Sequence, residues 1–157
     1  MAAEQSERVT RVLVVDDEPD VCELVAEELA NCQVDNAHSF DVAKGKLNSE
    51  TYDVVILDIM GVDGHQLLEL FGQKVPCIML TAHALNSDTF QKSVEGKARL
   101  FLPKDEIHRL GEYVDKVLST PKPLWRWLLK RFDFERMFGP EFMARSFIQR
   151  MRDDEIF

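Results

Sequence analysis

Val12-Leu13-Val14-Val15-Asp16-Asp17 is four apolar residues, three of them β-branched, followed at once by two acids. The run is too short for a buried helix, and it is continuous rather than alternating. That pattern fits a strand of a parallel sheet covered on both faces. Val54-Val55-Ile56-Leu57, Cys77-Ile78-Met79-Leu80 and Leu100-Phe101-Leu102 repeat it. A weaker fifth segment, Gln33 to Ala37, reads as an edge strand.

Helical spacing fills the intervals. Glu18 to Asn31 places Val21, Leu24, Val25 and Leu29 three and four apart, with Asp17 or Glu18 positioned to cap and Pro19 in the first turn. Phe40 to Leu47, Gly64 to Phe71, Asn86 to Val94 and Glu106 to Leu118 supply four further helices. Strand and helix alternate throughout, which predicts βαβ units, a parallel α/β sheet and right-handed crossovers. Thr120-Pro121-Lys122-Pro123 ends the last helix and marks a boundary.

The composition agrees with one α/β domain and a short appendage: 157 residues, 45% hydrophobic and 30% charged. The net charge of −9 disfavours nucleic acid as a partner. From Lys122 onward eight Lys and Arg outnumber six Asp and Glu, so that segment carries +2 and the residues before it −11. No apolar stretch approaches the roughly 18 residues of a membrane span. The polar start, Met1 to Arg11, lacks a signal-peptide core, so a cytoplasmic location is expected. Cys22, Cys32 and Cys77 show no metal spacing and read as reduced structural thiols. His38, His65, His83 and His108 are scattered and offer no phosphodonor.

Open parallel sheets bind ligands beyond the carboxyl ends of their strands. The residues expected there are Asp16 and Asp17 after the first strand, Asp58 after the third, Thr81 after the fourth and Lys104 after the fifth. A single Asp in such a place is often only a helix cap. Acids, a hydroxyl and an ammonium at four strand ends together suggest chemistry. Clustered carboxylates repel and favour a hard divalent cation with oxygen ligands, which points to Mg²⁺. A carboxylate beside such an ion can attack a phosphoryl group, while Lys104 and Thr81 stabilise its equatorial oxygens.

VLVVDDEPD at 12–20, VVILDIMGVDG at 54–64, LTA at 80–82 and FLPK at 101–104 together resemble the receiver domain of bacterial response regulators, over roughly residues 8–119. The resemblance implies a doubly wound, flavodoxin-like sheet of order 2-1-3-4-5 and a signalling switch rather than a turnover enzyme. It also implies roles. Asp58 is the phosphoacceptor, Asp17 the direct metal ligand and Asp16 a second acid acting through water. The backbone carbonyl of Met60 is a third protein ligand, Thr81 and Lys104 assist transfer, and Thr81 with Phe101 forms the switch. The implied partners are a sensor histidine kinase and an unidentified output protein. A homodimer is expected to use either the tail or the face of the fourth helix, fifth strand and fifth helix.

The sequence departs from the family at two places. Asp58 is followed by Ile-Met-Gly-Val-Asp-Gly, two residues shorter than the common segment, so Gly61 takes the turn. Pro103 precedes Lys104 and Asp105 follows it, where the family commonly has a proline after the lysine. Met60 and His83 hold positions that tune hydrolysis in the family, and an apolar Met60 predicts slow self-dephosphorylation. The rival reading is a phosphatase or phosphotransferase of the haloacid-dehalogenase type, which needs a second acid where Met60 stands. A phosphate-independent scaffold is the third. Residues 120–123 read as a linker and 124–157 as a tail of two short helices, Leu124–Phe132 and Glu141–Met151. That tail is too short for a DNA-binding output domain. It suits packing on the receiver or docking to another protein. An interfacial membrane helix is the least favoured use.

Overall fold

Each expected strand end falls at one edge of a single sheet in the computed structural model, which describes residues 8–81, 87–124, 127, 128 and 130. The elements are β1 (Arg11–Val15), α1 (Pro19–Glu28), β2 (Gln33–Ala37), α2 (Phe40–Ser49), β3 (Val54–Asp58), α3 (Gly64–Phe71), β4 (Cys77–Thr81), α4 (Ser87–Glu95), β5 (Leu100–Pro103), a 3-10 turn (Lys104–Arg109) and α5 (Leu110–Ser119). All pairings are parallel, in the order β2-β1-β3-β4-β5. This is the doubly wound, flavodoxin-like arrangement expected from the sequence. Every residue of β3 and β4 is buried, as continuous apolar runs require when helices cover both faces of a sheet. β2 lies at the edge and exposes part of its length.

The helices differ from the sequence reading in ways that reach the site. Glu18 occupies the position before α1, but its side chain makes no capping hydrogen bond. Its own N–H donates instead to Asp16 Oδ1 at 2.9 Å, and Pro19 starts the helix without needing a donor partner. α1 ends at Glu28 rather than Asn31, because Leu29 leaves helical geometry with φ −108° and ψ 42°. The expected Glu106–Leu118 helix is divided. A 3-10 turn runs from Lys104, and Tyr113 of α5 donates its hydroxyl proton to Glu106 Oε2 at 2.7 Å across the junction. Leu24, expected on the apolar face of α1, is exposed, as are Val42 of α2 and Leu118 of α5, because the stripe each helix buries is narrower than its apolar content.

The packed unit continues past Thr120-Pro121-Lys122-Pro123. Leu124 donates its N–H to the Arg99 carbonyl at 3.0 Å, and the Arg99 guanidinium donates to the Thr120 carbonyl at 2.9 Å. Leu124 and Leu128 join the core, and the Trp127 ring meets Tyr113 edge-on at 5.7 Å. The remainder of the two expected tail helices lies outside the described residues. Since Leu128 is fully buried, Leu128→Ala is expected to cost about 2–5 kcal/mol of stability in urea melts. Lys130→Ala, at an exposed neighbour, should change stability by less than about 0.5 kcal/mol.

Candidate functional site

Strand register assembles the site. Val15 of β1 pairs with Leu57 of β3, so Asp16 and Asp58 leave their strands at the same level. Asp58 pairs with Leu80 of β4, which places Thr81 one residue further along. Thr81 pairs with Pro103, so Lys104 emerges beside it. Two shared backbone bonds hold that level: Asp16 N–H to the Ala37 carbonyl and Ile59 N–H to the Leu80 carbonyl, both 3.1 Å.

Lys104 is the hub. Its ammonium lies 2.7 Å from Asp16 Oδ2, 3.4 Å from Asp58 Oδ1 and 3.8 Å from Glu18 Oε1. Asp16, Asp58 and Thr81 are buried, whereas Asp17 and Glu18 are exposed. A cleft of about 390 Å³ opens above them, lined by Asp17, Glu18, Asp58, Met60, Gly61, Thr81 and Lys104. Asp58 therefore sits near the floor with one face reachable from solvent. Glu18 is the residue the sequence reading missed. Its signal was its place directly after Asp16-Asp17, which a helix-capping interpretation absorbed.

Burial, and next the negative charge of Asp16, push the Asp58 carboxyl up from 3.8 to about 6. Lys104 opposes that rise without cancelling it. For Lys104 itself, burial favours the neutral form. The hydrogen bond to Asp16 and the charges of Asp58, Asp16 and Glu18 outweigh it, so the ammonium is held more firmly than usual.

The donor set fits a hard cation. One oxygen from each of Asp16, Asp17 and Glu18 lies within 4.8 Å of the others, and Lys104 is the only cation lining the cleft among the described residues. Gly61 completes the cradle. Its φ of 82° is in the left-handed region, and a Cβ there would come within 2.6 Å of Asp17 Oδ2. The shortened segment after Asp58 thus brings a bare backbone against the Asp17 carboxylate. Gly64, at the start of α3, approaches even more closely, since a Cβ on it would overlap the Asp58 carbonyl oxygen.

Met60 lines the cleft mouth and is 71% exposed, so it borders Asp58 without sealing it. Phe101 is buried, with its ring edge-on to Phe90 at 5.5 Å and 84°. His83 lies outside the described residues.

Residues 12–115 match the response regulator receiver domain family. The transcriptional regulatory protein ResD of Bacillus subtilis is 32% identical over 121 residues, covering 71% of this chain and 50% of its own. The regulatory protein VanRB of Enterococcus faecalis is 38% identical over 78 residues, 46% of this chain and 36% of its own. The chain spans half or less of the length of these curated relatives. Among solved structures, the response regulator TrrA of Thermotoga maritima, crystallised with Mg²⁺ and BeF, is 35% identical. It superimposes with a TM-score of 0.61 over 70% of this chain and 100% of its own. Another response regulator from Thermotoga maritima has a TM-score of 0.65 at 23% identity, covering 72% of this chain and all of its own, a likeness of fold.

Proposed function

The chain belongs to the response regulator receiver domain family, and from that premise we propose that Asp58 accepts a phosphoryl group from a partner histidine kinase. The observation that carries this reading is the single Lys104 ammonium bridging Asp16 and Asp58 at the foot of an acidic cleft. An Asp58 oxygen attacks phosphorus, the new O–P bond forms an acyl phosphate, and the P–N bond to the donor histidine breaks with its electron pair leaving on nitrogen. With its carboxyl at about 6, Asp58 is mostly ionised at neutral pH and already nucleophilic. Lys104 stays charged and follows the negative charge onto the phosphoryl oxygens. Thr81 donates a hydrogen bond to one of those oxygens.

Asp16, Asp17, Asp58 and the Met60 carbonyl are the proposed holders of Mg²⁺, and the position of Glu18 adds a further carboxylate to that set. When bound, Mg²⁺ supplies the positive charge that lets the anionic phosphoryl group approach these acids. TrrA, solved with Mg²⁺ and BeF, supports this assignment by analogy.

In the switch we propose, Thr81 moves toward the phosphoryl group and Phe101 repacks against α4. The surface of α4, β5 and α5 then changes, and a protein partner or a second copy reads it. We assign the receiver to residues 8–119, with Leu124 and Leu128 packed on its core, and partner contacts or self-association to the tail, 124–157. Among the described residues no helix is long and apolar enough to cross a membrane, and a cytoplasmic location is part of this proposal. A haloacid-dehalogenase-type enzyme requires an acid two residues after the nucleophile, and Met60 stands there.

Incubation with acetyl phosphate and Mg²⁺ followed by intact mass measurement tests the proposal. We expect one stoichiometric phosphoryl adduct that is long-lived, needs the metal and is absent from Asp58→Asn. Phosphate released over many turnovers would establish an enzyme instead.

A further inference from the structure

Asp16 and Asp17 share one peptide unit, and the orientation of that unit decides where both carboxylates point. Asp16 Oδ1 accepts from Glu18 N–H at 2.9 Å, Asp16 Oδ2 meets Lys104 at 2.7 Å, and the Asp17 carboxylate packs over bare Gly61. The carbonyl oxygen of the same peptide lies 3.0 Å from His38 Nδ1, on the residue that follows β2. It also lies 3.6 Å from Cys22 Sγ. A carbonyl oxygen only accepts, so the His38 bond requires the proton on Nδ1. The alternative, a Cys22 thiol donating to His38 Nδ1, spans 3.8 Å and is the poorer contact. A thiol is a weak donor, so His38 supplies the stronger of the two bonds to this oxygen.

We propose that His38 is a positioning residue: its Nδ1–H fixes the Asp16–Asp17 peptide and thereby aims the acidic pair into the cleft. His38 is not among the residues lining that cleft and touches no reacting group there. It acts as the outer partners of metal-binding side chains act, and loss of such a partner commonly weakens metal binding about 10–100-fold. Because His38 is exposed, replacing it removes the bond without opening the core. The inference rests on the cation and phosphoryl reading of the site.

The test uses the full chain, with Mg²⁺ alone as titrant in calorimetry, and compares His38→Ala, His38→Asn and His38→Gln. The amide nitrogen of Asn reaches the place of Nδ1, whereas that of Gln reaches the place of Nε2. We expect Ala and Gln to weaken Mg²⁺ binding by about 10-fold, with Asn restoring most of the loss. Long-range ¹H–¹⁵N spectra of the metal-free wild type should show His38 in the Nδ1–H tautomer. The proposal is overturned if His38→Ala binds Mg²⁺ like the wild type, if Asn is no better than Gln, or if the Nε2–H tautomer dominates. A wild type that binds no Mg²⁺ sinks the cation reading itself, and the tautomer still reports separately on the His38 bond.

Discussion

Asp58→Asn is expected to stabilise the metal-free protein at neutral pH while abolishing phosphoryl uptake. The folded chain holds the Asp58 carboxyl at about 6 against an ordinary 3.8, chiefly through burial and next through the charge of Asp16. Below pH 4 the group is protonated in both folded and unfolded chains and costs nothing. Between about 4 and 6 the unfolded chain releases its proton first, so stability falls as pH rises, and the loss is complete above 6. Two units correspond to about 3 kcal/mol at most, and partial access to solvent from the cleft reduces this to about 1–3 kcal/mol. Urea melts in chelator from pH 4 to 8 should show a downward slope for the wild type and a flatter line for Asp58→Asn. Added Mg²⁺ should restore the wild type by neutralising the cluster and should help the variant less. A variant no more stable than the wild type at pH 7 would show that Lys104 already compensates the buried charge.

Two glycines three residues apart are expected to fail differently when given a methyl group. In Gly64→Ala the new Cβ has nowhere to go, because the atom it meets is the backbone oxygen of Asp58 and Ile59 Cα lies 3.1 Å away. Backbone cannot rotate aside as a side chain can. α3 or the end of β3 must shift, at about 1–3 kcal/mol or more, and Asp58 moves with it. Phosphoryl uptake and stability should therefore fall together. In Gly61→Ala the obstacle is the exposed Asp17 side chain, which can swing away. The left-handed φ of 82° adds about 1–2 kcal/mol of backbone strain. Its larger effect should be on Mg²⁺ affinity, because the carboxylate it displaces belongs to the acidic cluster. Calorimetric Mg²⁺ titration alongside urea melts separates the two. Equal losses of affinity and stability in both variants would contradict the assignment of Gly61 to the cation cradle.

Much of this was readable from the residues. Short β-branched runs alternating with helical spacing have one economical solution, a parallel sheet covered on both faces, and the observed order follows. Asp16, Asp17, Asp58, Thr81 and Lys104 were identifiable because parallel strands all deliver their carboxyl ends to one edge. Glu18 was not, because an acid before a proline-initiated helix reads equally as a cap, and only the fold shows its side chain turned to Lys104. Helical spacing puts Leu124 and either Trp127 or Leu128 on one apolar face, and only packing shows that Leu128 is the fully buried one.

The order of residues along the chain already dictates which groups stand at the strand ends and suggests a chemistry they could share. Those are local properties of apolar runs and the residues that follow them. Packing was needed to bring Lys104 to Asp16 and Asp58 at once, to bury Asp58 enough to lift its carboxyl, and to set the His38 ring against the carbonyl between the two acids. Each depends on register and packing between segments distant in the chain, set when the whole sheet and its helices close together.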